Sequence, residues 1–236
     1  MKFKILENEI KIKNIEKMIC YDTETGDRIY PLIKERMELL VDEYLGLGWQ
    51  EQDNNISISE EGKVSCNWVM YEDKWYKYLP LQFEYVKSIE IIDCRNLISL
   101  QGSPKFVNGS VDIEGCKNLT ALKGGPEYVM KSYSVDSNSL TSLEGSPKYV
   151  GTFYGFMKNK ITSLKGITPH IGDSVYADQN TITDISDIKE FKELTISSLT
   201  LVDIRTIPYH KKYNQNLSVE NENFRINQIN YWYGYY

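Results

Sequence analysis

The sequence predicts a repeat solenoid built on a parallel β-sheet, and three observations predict it. Apolar columns recur every 21 or 22 positions, a two-residue alternation lies between them, and a glycine followed by a proline returns at one place in successive units. The first column is Leu97, Leu119, Leu140, Ile161 and Ile182, at spacings of 22, 21, 21 and 21. Leu100, Leu122, Leu143, Leu164 and Ile185 follow each of these after three residues. Gly102, Gly124, Gly145 and Gly166 come next, then Pro104, Pro126 and Pro147, with Pro169 displaced by one place. Val86, Val107, Val129, Val150 and Ile171 close the unit.

The alternation predicts a short strand in each unit: Ile89-x-Ile91, Val111-x-Ile113, Tyr133-x-Val135, Tyr154-x-Phe156, Val175-x-Ala177 and Leu194-x-Ile196, with Val69-x-Tyr71 as the first. Asn138, Asn159 or Asn180 follows the strand in three units. Cys94 or Cys116 takes that place in two earlier ones, with one extra residue before the next leucine. The resulting L-x-L-x-x-(N/C)-x(1–2)-L-x-x-L pattern is the signature of a leucine-rich repeat.

Each column has a physical reason. A unit of 21 residues cannot bury its own apolar face, so consecutive units stack and share one core. A buried asparagine offers two N–H donors and a carbonyl acceptor, enough to satisfy loop backbone that the turn would strand. Cysteine fills the same space as a small, weakly polar residue. Cys94 and Cys116 fall in the same column of adjacent coils, where a ladder of thiols is expected rather than a disulfide. Glycine and proline set a tight, extended return, so the convex side is expected to be mostly irregular.

The flanks predict caps. Ile56, Ile58, Val64 and Cys66 alternate around Glu60-Glu61-Gly62, an entry hairpin. Pro31 opens an expected helix to about Leu45, with Gly46 at its C-cap. Residues 2–6 and 10–13 read as a further hairpin. The expected organisation is a small α+β N-terminal cap at 1–66, the solenoid at 67–208, and a C-terminal cap with an aromatic tail at 209–236.

Composition narrows function. The chain has 236 residues, and 27 basic against 33 acidic residues give a net charge of −6. That balance argues against a nucleic-acid surface driven by phosphate contacts and against a polybasic membrane patch. No apolar run approaches the length of a membrane span, and the first residues, MKFKILENEIKIK, predict no secretory leader. Four dispersed cysteines predict reduced thiols and a cytosolic protein.

The units NLISLQGSPKFVNGSVDIEGC, NLTALKGGPEYV and LTSLEGSPKYVGTF resemble a short leucine-rich-repeat-like family common in tailed bacteriophages. That family also carries an I-S-I-x-x-x-G hairpin, matched by Ile56 to Gly62, and an L-P-x-x-F-x-x-V first coil, matched by Leu79, Pro80, Phe83 and Val86. The resemblance covers about residues 50–190. It implies a phage-encoded protein acting in the host cytoplasm by binding something, and no general activity comes with it.

Residues flanking the buried strand positions mark the candidate site, on the concave face. They are Ser88, Glu90 and Ile92; Ser110, Asp112 and Glu114; Ser132, Ser134 and Asp136; Phe153, Gly155 and Met157; and Ser174, Tyr176 and Asp178. Acids recur there with few bases, predicting a groove centred on Asp112, Glu114 and Asp136 that suits a basic patch on a protein. Phe153 and Met157 add an apolar spot.

The Asp22-Thr-Glu24-Thr-Gly26 run resembles the first motif of DnaQ-type 3′–5′ exonucleases, in which a strand delivers two acids to catalytic metals. That fold needs far more α/β structure than follows here, so a loop leaving a strand is the expectation. The tail Tyr231-Trp232-Tyr233-Gly234-Tyr235-Tyr236 is expected to pack over the last coil, with docking onto a partner as the alternative. His170 and His210 are expected at the surface. No catalytic residue, metal ligand set or cofactor is assigned. The expected function is a non-catalytic scaffold for a host or phage protein; the alternatives are an enzyme or toxin activity in residues 1–66 and a structural component of the virion.

Overall fold

Two parallel ladders run along the chain, each built on one of the apolar columns. The computed structural model describes residues 19–29 and 55–182, with strand segments at 193–195 and 216–218. The first ladder joins β4 (Val64–Glu72), β5 (Phe83–Ile92), β7 (Val111–Glu114), β9 (Tyr133–Ser134), β11 (Tyr154–Gly155), β12 (Ser174–Tyr176), β13 (Glu193–Thr195) and β14 (Asn216–Ser218). Its register is that of the alternating pairs: Val69, Ile89, Val111, Tyr133, Tyr154, Val175, Leu194 and Leu217 lie side by side. The chain is thus a parallel β-solenoid of about five turns, with no helix among the described residues.

The second ladder lies where a mostly irregular return was expected. β6 (Phe106–Val107), β8 (Tyr128–Val129) and β10 (Tyr149–Val150) pair in parallel with one another and with the first half of β5. Cys66, Val86, Val107, Val129, Val150 and Ile171 are its inward rungs. β4 and β5 belong to both ladders. Later coils break in two because one more residue separates the columns: Val86 to Ile89 is three positions, Val107 to Val111 four. The extra residue turns a corner, and glycine occupies it where the coils approach most closely. A Cβ on Gly151 would lie 1.9 Å from the Met130 carbonyl oxygen, and one on Gly172 would lie 2.0 Å from that of Gly151.

Every described leucine of the two L-x-x-L columns is buried, as are Pro104, Pro126 and Pro147, while the displaced Pro169 is exposed. The glycines before these prolines have φ from 83° to 102°, the left-handed region in which a Cβ is strained. A second left-handed column ends the strands: Asp73, Asp93, Gly115, Ser137, Lys158 and Gln179, with φ between 50° and 72°. The N–H groups of Asp93, Ser137 and Lys158 each donate to a carbonyl of the next coil, at 2.8, 2.9 and 2.9 Å.

The asparagine ladder sits just beyond. Asn138, Asn159 and Asn180 are buried, and their Nδ2 groups each donate to a carbonyl of the preceding coil, those of Ile113, Val135 and Phe156, at 2.8 Å. Their Oδ1 atoms accept from the backbone N–H of Cys116, Leu140 and Ile161. The cysteines extend the same ladder. The Cys94 thiol reaches the Tyr71 carbonyl at 3.4 Å and that of Cys116 the Ile91 carbonyl at 3.9 Å, and both are unbridged. Burial pushes the Cys94 thiol up to about 11 and that of Cys116 to about 12, so both stay protonated donors.

β3 (Ser57–Ile58) pairs antiparallel with the start of β4, forming the expected entry hairpin with Gly62 at its turn. A further hairpin, β1 (Cys20–Tyr21) with β2 (Arg28–Ile29), docks on the first coil through an antiparallel bridge from Cys20 to Leu81 and a 2.7 Å bond from Tyr21 N–H to the Pro80 carbonyl. The expected hairpin at 2–6 and 10–13, the helix from Pro31 and the aromatic tail lie outside the described residues, as does His210. β14 adds a rung to the first ladder inside the segment read as the C-terminal cap.

Candidate functional site

Because strand residues alternate sides, burying Ile89 and Ile91 or Val111 and Ile113 turns the residues between them outward. The register sets Met70, Glu90, Asp112, Ser134, Gly155 and Tyr176 in one column. Glu72, Ile92 and Glu114 begin the next, and Asp136, Met157 and Asp178 follow at the equivalent places of later coils. Glu90, Asp112, Asp136, Met157, Tyr176 and Asp178 are half-buried, whereas Glu114 and Phe153 are exposed. Ser174, expected on this face, is buried instead.

The structure therefore brings Glu90, Asp112, Glu114 and Asp136 together on adjacent rungs, about 4.8 Å apart along the ladder. Glu72 joins them. It was missed because the first strand was recognised from its buried pair, Val69 and Tyr71, without its flanks. Trp68 and Met70 were missed with it; they lie beside Ser88 and Glu90.

Among the described residues, none of these five carboxylates has an ion-pair partner, so they repel one another. Burial, then Asp112 and Glu72, holds the Glu90 carboxyl above its usual range. Asp112 is raised by burial and by Glu114. Asp136 is raised by burial first, then by Asp112 and Glu114, against two hydrogen bonds that favour its charge: Ser134 Oγ donates to Oδ2 at 2.9 Å and Met157 N–H to Oδ1 at 2.5 Å. The nearby Ser134 hydroxyl partly offsets the rise at Asp112.

Beyond the acids the face becomes apolar. Phe153 and Tyr176 meet edge to face at 5.7 Å, with Met157 on the same coil as Phe153. Gly155 lies between them, and the Asp136 carboxylate leans over it, 3.4 Å from where a Cβ would stand. Anionic and aromatic surface are thus contiguous.

The Asp22 motif is used otherwise. Asp22 Oδ1 accepts from the N–H groups of Glu24 and Thr25 at 2.8 and 2.9 Å, which closes the β1–β2 turn and lowers the carboxyl's pKa. Glu24 pairs with Lys77 at 2.6 Å, and the Thr23 carbonyl accepts from the N–H groups of Lys77 and Tyr78. Asp22 thus closes the turn of the hairpin, and Glu24 fastens the hairpin to the first coil. Among the described residues, no group of three or more His, Cys, Asp or Glu side chains is placed to hold a metal ion, and no helix is long and apolar enough to cross a membrane.

Comparisons with protein-family models, with characterised proteins and with solved structures give no match. The class the geometry defines is a β-solenoid with an acidic and aromatic face.

Proposed function

We propose that this chain is a leucine-rich-repeat-like scaffold, encoded by a tailed bacteriophage and acting in the host cytoplasm, that binds a basic surface of a host or phage protein. The observation that carries the reading is the gathering of Glu72, Glu90, Asp112, Glu114 and Asp136 on one sheet face without an opposing cation among the described residues. Carboxylates one rung apart lie well inside the ~8 Å screening length of physiological salt, so their fields add, and each raises the cost of leaving its neighbour unpaired. A cationic partner relieves that repulsion and gains the combined attraction. Phe153, Met157 and Tyr176, with Asp178 beside them, supply adjoining apolar area, while Ser134 orients Asp136.

The test uses Asp112→Lys with Glu114→Lys, which leaves the structural hydrogen bonds of Asp136 in place. Native and variant chains are compared by calorimetric titration with an Arg/Lys-rich peptide and by capture from phage-infected cells. The variant should lose both interactions while keeping the native unfolding midpoint within a few degrees. Undiminished capture by the variant would remove this face from the function.

A further inference from the structure

The second ladder turns a column of aromatic rings outward. In register along it stand Tyr85, Phe106, Tyr128 and Tyr149, and the Val150–Ile171 bridge continues the column to His170. Phe106, Tyr128 and Tyr149 are 40%, 41% and 37% exposed, among the largest apolar exposures of the described residues. Cross-strand aromatic pairing stabilises a sheet, but it does not require rings so open to water on three successive rungs.

Beside the rings runs a second column of alternating charge: Glu84, Lys105, Glu127 and Lys148. Within the chain, Glu127 accepts both neighbours, Lys105 at 3.3 Å and Lys148 at 2.5 Å. The order of signs has a further property. Read from either end the column is minus, plus, minus, plus or its inverse, so reversal turns every charge into its opposite. A two-fold axis lying in the sheet surface, parallel to the strands and passing between β6 and β8, performs that reversal. It sets Lys105 against Glu127 of the second copy, Glu84 against Lys148, Phe106 against Tyr128 and Tyr85 against Tyr149.

We infer that this aromatic column is a self-association surface on which two copies pack face to face about that axis. It is an isologous contact, the commonest way soluble chains dimerise. A ring core flanked by charge matches the anatomy of an interface, with desolvated aromatics inside and a polar rim. A contact only four or five rungs long is at the small end of specific interfaces, so a concentration-dependent dimer is expected rather than a permanent one. The surface is distinct from the acidic face, which stays open in the dimer.

Sedimentation velocity of the full chain over a range of concentrations tests this. The native protein should shift from monomer to dimer, and Tyr128→Ser or Phe106→Ser, both at exposed rings, should weaken association at least tenfold. The decisive variant inverts the whole column: Glu84→Lys, Lys105→Glu, Glu127→Lys and Lys148→Glu. It keeps the alternation, so it should dimerise with itself, but it should not mix with fluorescently labelled native chain, because every pair across the axis is then like on like. A native chain that stays monomeric at about 1 mM overturns the inference. Free mixing of native and inverted chains overturns it too, as does association that survives both ring substitutions.

Discussion

Asn159 donates through Nδ2 to the carbonyls of Val135, Phe156 and Met157, and its Oδ1 accepts from Leu140 N–H. Truncation to alanine strands at least one buried donor and one buried acceptor, so Asn159→Ala should cost about 3 kcal/mol. The check is a lower urea midpoint at unchanged m. Asn159→Asp should be worse at neutral pH, since a carboxylate facing carbonyl oxygens cannot donate, and should recover partly as acid protonates it. Tyrosine makes the opposite case. Among the described residues the hydroxyl of buried Tyr133 has no hydrogen-bond partner, whereas Tyr154 shares one with Ser146 at 2.8 Å. Tyr133→Phe should therefore stabilise by about 1 kcal/mol and Tyr154→Phe destabilise by about the same, measured by thermal unfolding; a loss on Tyr133→Phe refutes the claim that its hydroxyl is stranded. The asparagine ladder was legible because that side chain's donors and acceptor state what it must do when buried. The left-handed column was not. Asp73, Asp93 and Gly115 are types that the left-handed region favours, but Ser137, Lys158 and Gln179 are not, so no one residue type recurs to mark the column.

The first ladder was legible because two inward residues per unit, one apart, write a strand in the sequence. The second was not, since each of its strands turns a single valine inward and leaves no alternation to read. Its corner was hidden as well: one inserted residue between the columns divides β5's equivalents into β6 with β7, β8 with β9, and β10 with β11. The aromatic column beside it went unnoticed for the same reason, although Tyr85, Phe106, Tyr128 and Tyr149 each precede a valine of the closing column. In-register stacking makes the coil the unit of exchange. Excising residues 140–160 joins Ser139 to Ile161, places the next unit's column where Leu140 stood, and sets Tyr133 beside Val175. That chain should unfold cooperatively at a lower midpoint, because it loses one repeat and one interface. Removing only residues 140–149 puts every later column out of step and should abolish cooperative unfolding; circular dichroism through a urea titration separates the two.

At the scale of the molecule, the proposed role of the acidic face sets binding against stability. The folded carboxyls of Glu90, Asp112 and Asp136 are raised, so over that window the folded chain holds more protons than the unfolded one. Their contribution is therefore most favourable below the usual carboxylate range and is lost as pH rises through the raised values. Asp112→Asn removes a charge from the middle of the patch and, among the described residues, breaks no hydrogen bond to the backbone. At pH 7 and low salt it should raise stability by about 0.5 kcal/mol, a figure already reduced for solvent screening at a half-exposed group. Near pH 3, where the native carboxyl is neutral in both states, the difference should vanish, and added salt should shrink it at pH 7. The same substitution should weaken binding of an Arg/Lys-rich peptide. Calorimetric unfolding at both pH values checks the first half and titration checks the second. A variant that melts lower than the native chain at pH 7 would show that these carboxylates hold the face together, and the repulsion that makes a cationic partner favourable would not exist.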